Sequence, residues 1–385
     1  MKRANRILLL VTQADWGGVQ SFLVRFAKQL KAEGREVMLA AGGDGELWAE
    51  AEKAGIPTRR LTHMTRSIDP IQDWKAIGEI ERLILEFKPD AIHLNSSKMG
   101  VIGSIAAHRS SFIVDRVVYR IGGWSFLEPI GAWKRWLYRS AERYTAKYKD
   151  VIITVHPGDE QIARDLQITP RKTRVTVPNG LDLASFVSAL GTRGSSRQSL
   201  GLPEHAFVFG TVANTYATKA LLPYLDVAAR ICTLNDAIRF VIIGDGPQFE
   251  ELKRKRDTLG LTDRVILPGQ RTDARALYPA FDVFVLPSVK EGMPWTLLEA
   301  MASGIPCVAT DVGACAWMLE DSGTGRAGEI VPPHDPLAMV RVLDELRNNA
   351  EKRAALSRAA RFNVTDRFSW KKTFEGNRDV LDNRP

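Results

Sequence analysis

Cysteine is scarce, with three residues in a chain of 385. Cys232, Cys307 and Cys315 are odd in number and show no paired spacing. They offer neither a disulfide framework nor a thiolate metal centre, and the expectation is buried, reduced thiols in a cytoplasmic protein. Long apolar runs are missing as well. No segment approaches the roughly 18 consecutive apolar residues of a membrane span. The opening, with Lys2, Arg3 and Arg6 ahead of Ile7–Val11, carries the charge of a secretory leader. Its apolar run is short, and Gln13 and Asp15 fall where a cleavage region should follow, so it reads as a first buried strand. No aspartate-rich metal motif occurs, so no metal is expected. Nucleic-acid recognition motifs are absent too, and the basic residues are mostly scattered.

What is present fits a two-domain globular chain. Hydrophobic residues make up 45% and charged residues 25%, ordinary values for such a protein. The net charge of +8 is uneven: residues 1–185 hold 28 Lys and Arg against 21 Asp and Glu, and residues 186–385 hold 25 against 24. A basic first half suits a phosphorylated substrate or an anionic membrane surface. A solvated basic surface with no partner accounts for it equally.

Short β-branched runs alternate with helical patterns, twice over. The first series is Ile7–Val11, Val37–Ala41, Ala91–Leu94, Val117–Tyr119, Val151–Val155 and Val175–Val177. The second is Phe207–Val212, Phe240–Ile243, Val265–Leu267, Val283–Leu286, Cys307–Ala309 and Ile330–Val331. They lack polar alternation, as strands covered on both faces do. Amphipathic stretches such as Gln20–Glu33, Trp74–Phe87, Leu222–Leu234 and Gln248–Leu259 lie between them. The pattern predicts an α/β protein of two doubly wound, Rossmann-like parallel sheets facing a cleft. The Ser-, Gly- and Arg-rich stretch before Leu202-Pro203 reads as a linker. The expected domains are 1–183, a linker at 184–203, and a second domain at 204–360.

The densest signal is residues 282–313, DVFVLPSVKEGMPWTLLEAMASGIPCVATDVG. A strand runs into a loop with Glu291 and Gly292, and a helix opens near Pro294 with Glu299 inside it. A carboxylate accepts hydrogen bonds from sugar hydroxyls, and a helix N-terminus favours phosphate. Alone, two glutamates at this spacing are more often surface residues. The segment, however, closely resembles the signature of the retaining glycosyltransferases of family four, and the likeness continues along nearly the whole chain. WGGVQSFL (Trp16–Leu23), KPDAIHLNSSKMG (Lys88–Gly100), VPNGLD (Val177–Asp182), FVIIGDGP (Phe240–Pro247), VILPGQRTD (Val265–Asp273) and FSW (Phe368–Trp370) match in order and spacing.

The resemblance implies the GT-B fold and a terminal segment, 361–385, that crosses back to the first domain. It implies transfer from a UDP- or GDP-linked sugar, with no cofactor or metal, to a glycan or lipid-linked acceptor in bacterial surface polysaccharide or glycolipid synthesis. Glu291, with the amides of Gly292 and Met293, would hold the donor sugar, and Glu299 the ribose. Gly17, Gly18 and Lys219 would face the diphosphate, with Lys219 and Glu291 as the catalytic pair. Gly269 and Arg271 fall in the nucleobase loop. Lys98, Arg120, Gly122 and Trp124 fall on the acceptor side. The glycines and Asp245 of GDGP read simply as a turn.

Three positions depart from the family. Asn214 stands where an arginine is expected opposite the diphosphate, and it offers hydrogen bonds without charge. Arg120 and Arg271 are the candidates to replace that charge. Gly122 replaces a histidine, and Trp317 a glutamate. These departures leave open a non-catalytic sugar-nucleotide-binding homologue, and an epimerase or hydrolase of the same architecture. Finally, residues 133–148, WKRWLYRSAERYTAKY, read as a helix with Arg135, Arg139, Arg143 and Lys147 on one face. Its aromatics either rest on anionic lipid beside a lipid-linked acceptor or pack inward.

Overall fold

The computed structural model describes residues 3–382, so Lys2 and residues 383–385 lie outside the described part. Two compact units divide the chain: residues up to Pro178 together with those from Lys372 onward, and Asn179–Lys371. The first unit contains β1 (Arg6–Gln13), β2 (Glu36–Gly42), β3 (Thr58–Arg60), β4 (Ala91–Asn95), β5 (Arg116–Arg120), β6 (Val151–Thr154) and β7 (Thr173–Thr176). They form one sheet in the order β3-β2-β1-β4-β5-β6-β7, parallel throughout. The second contains β8 (Phe207–Val212), β9 (Ile238–Ile243), β10 (Val265–Gly269), β11 (Val283–Leu286), β12 (Cys307–Thr310) and β13 (Gly328–Val331). Their order is β10-β9-β8-β11-β12-β13, again all parallel.

The central strands are apolar because both of their faces are covered. Ile7 to Leu10 of β1 and Val283 to Leu286 of β11 are wholly buried. Helices between strands follow local signals. In Pro70–Phe87, Asp69 accepts from the amides of Ile71 and Gln72, Pro70 opens the first turn, and Lys88 ends the helix in a left-handed conformation. Strand order reverses between β1 and β4, and again between β8 and β11. Loops at the carboxyl ends of such strand pairs are where doubly wound folds bind ligands.

Two expectations need correction. Residues 184–203 are not a linker: they fold as helices Leu183–Ser188 and Arg193–Ser199 of the second unit. Their polar residues are caps, Asp182 accepting from the Ser185 amide and Thr192 forming a reciprocal capping box with Ser195. Arg197 is buried and paired with Asp282 at 2.9 Å. The change of unit comes at Pro178–Asn179, ahead of that stretch. The second concerns residues 361–371, which belong to the second unit, because helix Ala350–Arg367 packs there. From Lys372 the chain belongs to the first unit, where Thr373 donates to the Pro178 carbonyl at 2.8 Å and Asp382 pairs with Arg35 at 2.6 Å.

Candidate donor site

Because β8 and β11 are neighbours, the loops that follow them meet. Lys219 closes the turn Ala217–Lys219 after β8, and Glu291 lies in the loop after β11. The Lys219 ammonium is 2.7 Å from Glu291 Oε1, which also accepts from the Ser288 hydroxyl at 2.6 Å. The Val289 amide donates to the Thr218 carbonyl at 2.8 Å, tying the two loops by backbone. The Glu291 side chain is only 7% exposed and that of Lys219 23%. Desolvated charges this close are costly unless paired and hydrogen-bonded, as these are.

The segment 291–293 is laid against its surroundings at three points. Ala314 donates its amide to the Gly292 carbonyl at 2.8 Å. Gly313, at φ +56°, leaves no room for a side chain, since a Cβ there would stand 2.4 Å from the Glu291 carbonyl oxygen. Asn179 donates its side-chain amide to the Met293 carbonyl at 2.8 Å and its backbone N–H to Met293 Sδ at 3.1 Å. Pro294 caps the helix Trp295–Ala302, which carries Glu299. Glu299 accepts from Arg275 Nε at 3.0 Å and from the Tyr278 hydroxyl at 3.0 Å.

The remaining expected donor residues are placed as follows. Asn214 is exposed in the loop after β8. Gly244 and Gly246 do more than turn the chain: a Cβ on Gly244 would meet the Ala213 carbonyl at 2.0 Å, so this glycine lets the Asn214 loop lie close. Gly269, at φ +74°, sits where the β9–β10 pairing shifts register. Arg271 is paired with Asp273 at 2.7 Å, which holds that carboxyl below its usual range, and it donates to Ser199 at 2.9 Å. Arg271 is therefore committed locally to Asp273 and Ser199 and not to the loop of Asn214 as a replacement charge. Ser288, Asn179, Arg275, Tyr278 and Gly313 received no role from the sequence. Of these, Ser288, Asn179 and Gly313 fall in motifs that could have flagged them, and Arg275 and Tyr278 do not.

In the first unit, Gly17 caps the helix Gly18–Ala32 with no side-chain bond, and a Cβ there would come within 3.3 Å of Gln20 Oε1. Lys98 pairs with Asp73 at 2.6 Å and donates to the Ser67 carbonyl, fastening the loop before helix Pro70–Phe87. Arg120, at the end of β5, is buried with its guanidinium 4.2 Å from the Phe22 ring centroid, and burial lowers its pKa to about 10. A Cβ on Gly122 would meet nothing within 4 Å. Trp124 must be withdrawn as an acceptor contact. It is fully buried, stacked on Phe126 at 5.3 Å, with its indole N–H donating to the Asp159 carbonyl.

Two family descriptions match this chain: "Glycosyl transferases group 1" over residues 192–362 and "Glycosyl transferase 4-like domain" over residues 17–180. The UDP-Gal:alpha-D-GlcNAc-diphosphoundecaprenol alpha-1,3-galactosyltransferase of Escherichia coli is 33% identical over 288 residues, 73% of each chain. The chain belongs to the group 1 glycosyltransferases. Among solved structures, HepE of Anabaena with UDP and glucose superposes with a TM-score of 0.82 at 20% identity, covering 98% of this chain and 99% of that one. A glycosyltransferase of Rickettsia africae gives 0.78 at 18% identity, covering 98% and 97%. These likenesses establish the GT-B fold.

One departure of this glycosyltransferase now has a local explanation, and one open reading is decided. Trp317 packs edge-on against Phe368 at 5.2 Å, under the Arg367 guanidinium, as part of the second unit's packing. The inward-packed reading of residues 133–148 is overturned: in helix Ala132–Thr145, Trp133 is 66% exposed, Trp136 63% and Tyr144 59%. Among the described residues no helix is long and apolar enough to cross a membrane, and no cluster of three His, Cys, Asp or Glu is placed to hold a metal. All three cysteines are free and buried.

Proposed function

We propose that the glycosyltransferase moves a hexose, with retention, from a UDP-linked sugar to a lipid-linked diphosphate glycan at an anionic membrane surface. The observation that carries this reading is the Lys219–Glu291 pair between neighbouring loops at the β8/β11 switch point. As donor binds, the Lys219 ammonium moves from the carboxylate toward the diphosphate, and Glu291 accepts hydrogen bonds from the sugar hydroxyls. The amides of Gly292 and Met293 serve the same sugar, Asn214 gives uncharged hydrogen bonds to phosphate, and Gly269 and Arg271 lie along the nucleobase. Gly17 and Gly18 open a helix N-terminus whose amides favour phosphate.

In the reaction the sugar C1–oxygen bond to the diphosphate breaks, and the acceptor oxygen bonds C1 on the same face. The acceptor proton passes to the departing phosphate oxygen. The protein's contribution is preorganised positive charge at Lys219, which stabilises the leaving group. The E. coli relative's name supports UDP as the nucleotide and a lipid diphosphate as the acceptor type.

The membrane part rests on the helix Ala132–Thr145. Its exposed Trp133, Trp136 and Tyr144 stand among Lys134, Arg135, Arg139 and Arg143, a composition suited to lying in a headgroup layer of anionic lipid. The purified chain, given UDP-sugars and a lipid-linked acceptor extract, should release UDP and yield an α-linked product. UDP release without acceptor, or a new free sugar, would point to a hydrolase or epimerase. Binding without turnover in every acceptor would point to a non-catalytic homologue. Vesicles rich in anionic phospholipid should co-sediment the chain, and Trp133→Ala with Trp136→Ala should abolish that; equal binding to neutral vesicles would refute the electrostatic part.

A further inference from the structure

Glu299 is gripped from one short segment. The 3-10 helix Ala274–Ala280 presents both Arg275, whose Nε–H donates to Oε1 at 3.0 Å, and Tyr278, whose hydroxyl donates to Oε2 at 3.0 Å. Tyr278 is fully buried, its ring set against Phe186, Phe281 and Phe284 with centroids 6.0–6.2 Å away. Its ring cannot swing, so its hydroxyl is a fixed point. Burial also pushes the phenol pKa well up, which keeps it a donor. Arg275 lies with its guanidinium 6.0 Å from the Phe186 ring centroid. One donor on each oxygen fixes the plane of the carboxylate. The Glu299 side chain is itself only 12% exposed, so a lost hydrogen bond there is not replaced freely by water.

We propose that Tyr278 and Arg275 are positioning residues that make Glu299 a rigid reader of the ribose 2′,3′-diol, so that the site takes ribonucleoside diphosphate sugars and rejects 2′-deoxyribonucleoside, thymidine-type, diphosphate sugars. The inference rests on the assignment of Glu299 to the donor ribose. A mobile carboxylate meets a single hydroxyl by rotating to suit it. A carboxylate held at both oxygens keeps the geometry for two, and removing one hydroxyl leaves a charged acceptor poorly solvated. Sites built around a substrate hydroxyl reject the analogue lacking it more strongly than apolar pockets reject a missing methylene. A charge-assisted hydrogen bond corresponds to about 10- to 100-fold in affinity.

The test is calorimetric binding of UDP and 2′-deoxy-UDP to the full chain and to two variants. Tyr278→Phe keeps the buried ring and removes only the hydroxyl, and Arg275→Gln changes a half-exposed side chain, so one of them is expected to fold normally even if the other does not. Wild type should prefer UDP by about 10-fold or more. Both variants should lose UDP affinity while binding 2′-deoxy-UDP almost as wild type does, so that the ratio falls toward one. The preference for UDP over UMP, which does not involve the ribose, should stay unchanged. Wild type binding both diphosphates within about twofold, or variants that weaken both ligands equally, would overturn the proposal while leaving the donor site intact. A wild type that binds no nucleoside diphosphate would instead sink the donor assignment itself.

Discussion

Among the described residues the Lys219 ammonium pairs with the Glu291 carboxylate, and a donor diphosphate would bring a second anion. Because Glu291 holds Lys219 at 2.7 Å, the cation is already placed and desolvated before diphosphate arrives. Lys219→Ala should therefore lower kcat about 100- to 1,000-fold. Glu291→Ala should lower turnover strongly while UDP affinity, by calorimetry, changes little. Asn214 is exposed, so Asn214→Arg should fold normally and be neutral or activating. Turnover that survives Lys219→Ala unchanged would remove the leaving-group role.

Buried His93 makes stability depend on pH. His93 accepts from Asn95 on Nδ1 at 3.0 Å and donates from Nε2 to Asn377 at 3.2 Å, fully buried beside Phe26. Burial, reinforced by the nearby Arg120 charge, lowers its pKa from 6.5 to about 3. The folded state thus binds its proton later than the unfolded state does. Its stability contribution is fully present above pH 6.5 and is lost progressively as pH falls toward about 3. Near pH 5 the loss should be on the order of 2 kcal/mol. Denaturant midpoints at pH 7.5 and 5 should differ less in His93→Gln than in wild type. At this scale the motifs single out Glu291, Glu299 and Lys219, and the structure sets Lys219 against Glu291. The motifs miss Arg275 and Tyr278, because their role comes from a fold that returns them to Glu299 across some 20 residues of chain. Trp124 misled for the opposite reason: its motif is present apart from Gly122, but its side chain serves the core.

Among the elements, the helix Ala132–Thr145 is fastened in an unusual way. Its buried residues are Glu142 and Thr145. Glu142 accepts from the Tyr119 hydroxyl at 2.7 Å and from the Lys149 ammonium at 3.0 Å, and Lys149 lies 4.3 Å from the Tyr119 ring centroid. A polar clamp, with Tyr138 packed against the core beside it, therefore holds an aromatic-rich helix. Breaking it by Lys149→Ala leaves a buried carboxylate unpaired and should cost about 3–5 kcal/mol, measured by urea unfolding. Trp133→Ala and Trp136→Ala remove exposed rings and should change stability by less than about 0.5 kcal/mol. No strand is legible at Thr58–Arg60, because β3 is an exposed edge of Thr, Arg and Arg with no apolar pattern. The sequence pattern misreads helices Leu183–Ser188 and Arg193–Ser199, since serines and threonines that cap helices have the composition of a linker. The long central strands were legible throughout, because burial on both faces writes them as unbroken apolar runs.

For the whole molecule, the alternation of apolar runs and amphipathic stretches announced two doubly wound sheets, and both are present with matching strand-order reversals. What composition did not mark was where the chain changes units, because Pro178–Asn179 follows β7 almost directly and Lys371–Lys372 lies inside a continuous helix, Trp370–Leu381. The return of the terminal residues to the first unit makes a testable claim. Asn377 binds His93, Phe374 meets Phe26 edge-on at 5.6 Å, and Asp382 pairs with Arg35, both of those side chains almost fully buried. Truncation after Lys371 should thus destabilise the first unit and spare the second. Amide exchange should rise in β1 and β4 while β8 and β11 stay protected; the reverse pattern would contradict the assignment.

That arrangement also bears on how the protein is made. The second unit is one uninterrupted stretch of chain, whereas the first is finished only by residues that follow the whole of the second. At synthesis rates of about 5–20 residues per second, the nascent first sheet waits on the order of tens of seconds for its closing segment. During that interval Phe26 and Val177 lack the cover later given by Phe374 and Gly376. The later-translated unit is the one able to fold first, and the earlier one is the natural client of a chaperone.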